Sequence, residues 1–157
     1  VVSAFHNNPK KQIFHGDRYD IDDGDKKKIR KYNSSEFKFI YYGMTYNHPT
    51  MFFHKNIYKE NRYNISLSSL ADYEFVLNQY LKNKKLFYYI PKAYVNYRLT
   101  GVSSRLSLKK SLYEGYIARK NNRLNFFIIF VAVFFRLIVF VFYKFRFFKN
   151  NLIKIFQ

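Results

Sequence analysis

The sequence predicts an α/β domain followed by a C-terminal hydrophobic helical membrane segment, and three patterns support this prediction. Segments with strand character alternate with amphipathic helical segments between residues 12 and 122. An Asp-Gly pair at 23–24, a strong turn signal, separates the first two strand-like segments. A nearly uncharged apolar run occupies residues 126–143. We therefore divide the chain into a domain of residues 1–122 and a basic, hydrophobic, membrane-associated tail of residues 123–157.

The composition indicates a folded and strongly basic protein. Hydrophobic residues make up 48% of the 157 residues, and the formal net charge is +18. Such a charge favours a polyanionic partner, which can be a phospholipid surface, a nucleic acid or a phosphorylated substrate. Cysteine is absent, which excludes disulfides, thiolate metal sites and a cysteine nucleophile. No DNA- or RNA-binding signature, P-loop or G-x-S-x-G motif is present, so we expect no nucleic-acid partner and no serine hydrolase.

Residues 12–33 predict a β-hairpin with a basic outgoing strand at 26–31. The acidic residues of this segment, within 17–25, invite a calcium or magnesium interpretation, but they lack the glutamate at position 12 of an EF-hand loop. The triplet at 20–22 is formally D-x-D. We interpret these acids as solvated turn residues and not as a metal site.

The middle of the chain, residues 35–122, predicts further strands and two helices. Proline ends one predicted strand, and Ser107 is a suitable N-cap for the last helix of the domain. The predicted elements are a strand in TMFFHK (50–55), a helix in DYEFVLNQYLKN (72–83), strands in KLFYYI (85–90) and AYVNYRL (93–99), a loop in TGVSS (100–104) and a helix at 107–122.

The tail predicts a membrane-associated apolar helix or helical hairpin with basic residues on both sides. Residues 126–143 contain Arg136 as their one charged residue. A spanning helix needs about 20 apolar residues, so this run is borderline, and a buried helix of a soluble protein is the alternative. Lysines and arginines at both ends suit an anionic lipid surface better than a nucleic-acid groove.

Asp72 has two interpretations. Ser69 and Asp72 have the S-x-x-D spacing of a capping box, in which acidic residues stabilise a helix start. A carboxylate at the mouth of a helix can also act as a general base towards a hydroxyl. Glu74 lies two residues further on and so points elsewhere on the helix. Among the histidines no metal-binding spacing is present.

The order of elements over residues 36–122 resembles the second half of a family-2 glycosyltransferase catalytic domain, of the GT-A (Rossmann-like) type. That pattern has a histidine near a short -TFF- strand, a -DYEF- helix, a tyrosine-rich strand, a second strand ending in -YR-, and a glycine- and serine-containing loop. The matching pieces here are His48, TMFFHK, ADYEF, FYYIPKAYVNYR and TGVSS.

The resemblance implies an inverting transfer of a sugar from a nucleotide-sugar donor to a hydroxyl acceptor, in cell-surface polysaccharide or glycan synthesis. It implies that Asp72 is the catalytic base. It also implies a glycan or lipid-linked acceptor. The basic, apolar tail separately predicts an anionic membrane surface as partner, and we expect location at the cytoplasmic face of a bacterial plasma membrane. The implied substrate-binding residues are His48, Thr50, Glu74, Arg98, Gly101 and Ser103.

The resemblance does not include the first half of the family's domain, which holds a nucleotide-binding βαβ unit and a metal-binding D-x-D motif. A divalent ion, Mg or Mn, is expected for the complete enzyme, and its D-x-D site is not in this chain. We therefore expect a fragment of a longer gene product or a decayed reading frame, inactive by itself. The main alternative is a non-enzymatic basic protein that binds membranes, in which Asp72 only caps a helix. A weaker alternative is nucleic-acid binding through the net charge of +18.

Overall fold

The computed structural model describes residues 1–22, 24–99 and 107–155, with side chains as far as residue 142. The elements are α1 Val2–Asn7, β1 Ile13–Ile21, β2 Lys27–Arg30, β3 Phe52–Phe53, α2 Lys55–Glu60, α3 Ala71–Asn83, β4 Phe87–Arg98, α4 Leu108–Asn121 and α5 Phe126–Ile155. A π-helical turn at Lys38–Tyr42 and two 3-10 turns, His48–Thr50 and Lys84–Leu86, complete the order.

Strand β1 organises a four-stranded sheet, because each of the other strands pairs with it. Strand β2 pairs antiparallel with the second half of β1, and β3 pairs antiparallel with Ile13 and Phe14. Strand β4 runs parallel to β1 along its whole length. This small mixed sheet with helices packed on it is compatible with the predicted α/β class.

The predicted hairpin is confirmed by the pairing of β1 with β2. The Asp22 carboxylate organises the turn, since Oδ1 accepts hydrogen bonds from the backbone N–H groups of Gly24 at 3.0 Å and Lys26 at 2.9 Å. Asp25, among the described residues of the turn, has a left-handed backbone with φ of 55°. Aspartate tolerates this region better than most residues because its short side chain is polar.

Pro91 does not end a strand, contrary to our prediction of two separate strands. Strand β4 continues from Phe87 to Arg98 through an irregularity at which the partner of Gly16 is Ile90 and the partner of Asp17 is Ala93. The two skipped residues, Pro91 and Lys92, are exposed. A bulge accommodates proline, which has no N–H to donate to the ladder.

Helix α3 supplies much of the core and is confirmed as a helix. Its residues Tyr73, Phe75, Val76 and Leu77 are buried. They pack in one cluster with residues of the sheet, the π-helical turn and α4, namely Ile13, Phe39 and Ala118. Burial at 73, 76 and 77 follows the helical period, so the sequence pattern determines which face of α3 meets the core.

Ser107 is the N-cap of helix α4, as predicted, and its hydroxyl accepts a hydrogen bond from Lys110 N at 3.3 Å. Helix α5 then packs one face on the domain, where Ile129 and Ala132 are buried. Within that face, Arg136 donates from Nη1 to the carbonyl of Ser111 at 3.3 Å. The tail is therefore not apolar all round.

The membrane segment in our predicted fold class is wrong. Within residues 1–22, 24–99 and 107–155, the structure contains no helix whose length and apolar character suffice to cross a membrane. Part of the apolar surface of α5 is instead used against the domain, and Arg136 interrupts the run.

Candidate active site

A cleft of about 430 Å³ lies where the hairpin, the segment before β3 and the start of α3 meet. It combines a carboxylate, a histidine and two arginines on one open surface. The lining residues are Arg18, Arg30, Met44, Tyr46, Asn47, His48, Pro49, Ser69, Leu70, Asp72 and Tyr97.

Asp72 lies in the first turn of α3 with its side chain about one third exposed. Oδ1 accepts a hydrogen bond from Tyr73 N at 2.7 Å, and Oδ2 lies 3.7 Å from His48 Nδ1. Burial raises the pKa of Asp72 above its usual range, and this effect exceeds the lowering by His48 and by the backbone N–H groups. A raised pKa makes this carboxylate a stronger base than an exposed aspartate.

His48 lies between Asp72 and a tyrosine. Its Nε2 is 3.3 Å from the hydroxyl of Tyr63, while Nδ1 faces Asp72 at a distance too long for a hydrogen bond. Burial lowers the pKa of His48, and Asp72 opposes that shift. The histidine is thus favoured in its neutral form, positioned beside the base with each ring nitrogen next to a polar group.

Asp72 is not the N-cap of α3, but its Oδ1 binds the N–H group of Tyr73 in the first turn, in keeping with the helix-start interpretation. The N-cap residue is Leu70, which has no side-chain capping bond. The backbone N–H groups of Ser68, Ser69 and Leu70 instead bind the carboxylate of Glu114 from α4, at 3.2, 3.0 and 2.9 Å. The Ser68 hydroxyl donates to the same carboxylate at 2.9 Å.

Glu114 is 3% exposed, and its ionised form is favoured by these bonds. Burial alone would raise the pKa of Glu114, but the hydrogen bonds from Ser68, Ser69 and Leu70 outweigh burial and lower it. We did not predict a role for this residue from the sequence. The available signal was that Glu114 is the one acidic residue in the otherwise basic helix α4.

Thr50 does not line the cleft, and its side chain instead forms hydrogen bonds that support the fold. Its hydroxyl donates towards the carbonyls of Gly16 and Asn47, at 3.0 and 2.7 Å, and accepts from Gly16 N at 3.0 Å. The side chain is completely buried. Thr50 therefore fixes the 3-10 turn that carries His48 to the centre of β1.

Glu74 also faces away from Asp72. Oε2 accepts a hydrogen bond from Asn64 at 2.9 Å, and Oε1 accepts one from Asn121 at 3.0 Å. These contacts border a second cavity of about 230 Å³. Glu74 thus joins the segment before α3 to the end of α4. The two-residue spacing from Asp72 had predicted that the two side chains point in different directions.

Arg98, at the end of β4, is exposed and forms an ion pair with Asp25, with Nη1 3.1 Å from Oδ1. It does not line the cleft. Gly101 and Ser103 lie outside the described residues. Of the predicted substrate-binding residues, the structure therefore brings His48 together with Asp72.

No group of three histidine, cysteine, aspartate or glutamate side chains suited to a metal ion occurs in the described ranges. The Mg or Mn ion expected for the complete enzyme was assigned to a D-x-D site outside this chain, and it stays a prediction. Asp20 of the D-x-D-like triplet is paired with Arg18 at 2.6 Å, and Asp22 holds the hairpin turn. We assign no step of the chemistry to a metal held by this chain.

Comparison of the chain with protein-family models, with curated proteins and with solved structures finds no match in any of the three. In the cleft, a partly buried carboxylate lies beside a histidine whose pKa is lowered by burial, and two arginines share the lining.

Proposed function

We propose that this chain carries the catalytic base of an inverting glycosyltransferase, which transfers a sugar from a nucleotide-sugar to an acceptor hydroxyl in cell-surface polysaccharide or glycan synthesis. The observation that carries the proposal is the state of Asp72. It lines an open cleft, its pKa is raised by burial, and the N–H groups just before α3 are bound by Glu114 and not by Asp72. The sequence resemblance of residues 36–122 gives the same role to Asp72.

In the proposed step, the Asp72 carboxylate accepts the proton of the acceptor hydroxyl. The hydroxyl oxygen forms a bond to the anomeric carbon of the donor, and the bond from that carbon to the diphosphate oxygen breaks on the opposite face. The electron pair leaves with the nucleoside diphosphate, so the configuration at the anomeric carbon inverts. His48 keeps its ring beside Asp72 and limits how that carboxylate can turn.

The test uses the protein expressed from its complete reading frame and a panel of radiolabelled nucleotide-sugars with glycan acceptors. We expect Asp72→Asn to lower transfer by roughly 10²- to 10⁴-fold, because asparagine cannot accept the proton. The thermal unfolding midpoint should stay close to that of the unsubstituted protein. Glu60→Gln, at an exposed carboxylate on α2, is the matched control and should retain full activity. An Asp72→Asn protein that transfers at the normal rate would refute the proposal.

A second, non-enzymatic proposal concerns the outer face of α5. Phe126, Phe127, Phe130 and Phe134 are exposed, and three of them stack in a row along the helix. Exposed aromatic side chains on a strongly basic protein are suited to contact with an anionic lipid surface. Location at a bacterial plasma membrane stays a prediction.

Sedimentation with vesicles of phosphatidylserine and phosphatidylcholine tests this contact. Replacement of both Phe130 and Phe134 by serine should reduce binding at high salt, where apolar contact outlasts charge attraction. If high salt abolishes vesicle binding of the unsubstituted protein as well as of the variant, charge alone attracts the chain to lipid.

A further inference from the structure

Two arginines lie directly opposite each other in the hairpin, which is an unfavourable arrangement for the fold alone. Arg18 of β1 and Arg30 of β2 are Cα partners in the antiparallel pair. Like charges at directly opposed positions destabilise a sheet. The pair therefore calls for a compensating anion.

The described residues provide only part of that compensation. Asp20 lies 2.6 Å from Arg18 Nε, within hydrogen-bond distance, but its other oxygen is 3.8 Å from Arg30 Nη1. One carboxylate thus serves two guanidinium groups, and a net positive charge remains. The Arg18 guanidinium also stacks on the ring of Tyr97, with its central carbon 4.0 Å from the ring centre.

The two side chains differ in a way that suits ligand binding. The Arg18 side chain is 11% exposed and is held by Asp20 and Tyr97, whereas the Arg30 side chain is 56% exposed. The Arg18 guanidinium is therefore held in position before any ligand binds, whereas the Arg30 side chain can move to contact a ligand. Planar guanidinium groups bind carboxylate and phosphate oxygens through paired N–H donors.

Both arginines line the cleft that contains Asp72 and His48. We propose that Arg18 and Arg30 bind an oxyanion group, phosphate or carboxylate, on the acceptor whose hydroxyl Asp72 deprotonates. The acceptor is thus an acidic sugar or a sugar phosphate and not a neutral glycan. This inference rests on the proposed function for the role of the ligand, but the binding of an anionic sugar can be measured without any transfer.

The experiment follows binding to the unsubstituted protein by NMR, with glucuronic acid, glucose 6-phosphate, uridine diphosphate and neutral glucose as separate probes. We expect saturable binding of at least one of the two acidic sugars and none of glucose. Preference between the two distinguishes a carboxylate from a phosphate source. Uridine diphosphate binding that depends on Arg30 while neither acidic sugar binds would overturn the proposal, because the arginines would then serve the donor.

The substitution Arg30→Gln should weaken acidic-sugar binding about tenfold through loss of a charge-assisted contact. The matched control is Lys59→Gln, which removes the same charge from an exposed position on α2 outside the cleft. Equal weakening by both substitutions would show a general effect of net charge and would overturn the proposal. Unchanged binding by Arg30→Gln would also overturn it.

A stability measurement separates ligand binding from a structural role. Because Arg30→Gln removes a like-charge contact, its unfolding midpoint should equal or exceed that of the unsubstituted protein. A lower midpoint together with weaker binding would indicate that Arg30 supports the fold, and would overturn the proposal. Failure of the transferase proposal is recognised separately, by normal transfer in Asp72→Asn.

Discussion

Glu114 and Asp72 are both carboxylates at the first turn of α3, but they meet different numbers of donors. Glu114 accepts four hydrogen bonds, three of them from backbone N–H groups before the helix. Asp72 accepts one backbone bond from Tyr73 and faces His48 across 3.7 Å. Accordingly, the pKa of Glu114 is lowered, while burial raises the pKa of Asp72.

This difference shows how one helix start can hold both a structural and a reactive acid. Unpaired N–H groups at a helix start stabilise whichever anion reaches them. Here Glu114 reaches from α4 the N–H groups of Ser68, Ser69 and Leu70 just before the helix, while Asp72 binds the N–H group of Tyr73 in the first turn. The two roles should separate cleanly when each acid is changed alone.

The largest effect on stability is expected from Glu114→Gln. The glutamine keeps one acceptor oxygen but turns an NH₂ group towards backbone donors, and the charge is lost. We expect the free energy of unfolding to fall by about 3 kcal/mol, since hydrogen bonds to buried charged groups are strong and incompletely replaced. Chemical denaturation measures this, with Asp72→Asn as the comparison, which should lose less than about 1 kcal/mol. Similar losses in the two variants would contradict the division of roles.

The pH dependence of transfer should show the raised pKa of Asp72. The carboxylate accepts a proton only when ionised, so transfer should fall as the pH drops through a pKa above the usual aspartate value of about 3.9. A fall only at or below pH 3.9 would argue against burial as the controlling effect. The measurement is the logarithm of kcat/KM against pH.

The pH profile of kcat/KM must be separated from unfolding of the protein in acid. We expect His15 to be the main cause of that acid unfolding. His15 is 2% exposed, its Nδ1 has no hydrogen-bond partner in the described part of the chain, and burial lowers its pKa to about 4. The unfolded chain takes up this proton below about pH 6.5, whereas the folded chain resists it until about 4. Stability should therefore fall between pH 6.5 and 4 by roughly 3 kcal/mol. His15→Phe should remove that fall.

A smaller effect is expected from His48→Gln. Where the acidic limb lies below the pKa of His48, the ring is protonated and its charge lowers the pKa of Asp72, so loss of the histidine should raise that pKa further. The acidic limb of the transfer profile should then move to higher pH. At a fixed pH on that limb, the rate should fall about tenfold for each pH unit by which the limb moves. A rate loss with an unmoved limb would show that His48 contacts substrate and does not tune the base.

Local patterns predicted the elements but not the contacts between distant ones. The hairpin, α3 and the Ser107 cap follow from turn signals, helical period and capping preference, and all three are confirmed. Continuity of β4 past Pro91 depended on a bulge against Gly16, where a side-chain Cβ would come within 2.9 Å of the Ile90 carbonyl. No local signal shows that contact.

The site was predicted in the same uneven way. Asp72 was noted for its place at a helix start, and both Asp72 and His48 were selected through the family resemblance; the structure brings them together. The arginines of the cleft were not selected, because each belongs to a hairpin whose position beside α3 depends on tertiary packing. Glu114 was missed for the same reason, since its bonds join residues 44 to 46 positions apart.

The smallest effect is expected from Glu74→Gln, although Glu74 lies only two residues from Asp72. Its carboxylate is already engaged by Asn64 and Asn121, outside the cleft. Glutamine can accept only one of these bonds, so we expect a loss of about 1 kcal/mol in unfolding free energy. Transfer should stay within about twofold of normal, because nothing at Asp72 changes. A fall of about tenfold or more in kcat/KM without a matching loss of stability would instead place substrate at Glu74, and the cavity of about 230 Å³ beside it would become the second half of the binding site.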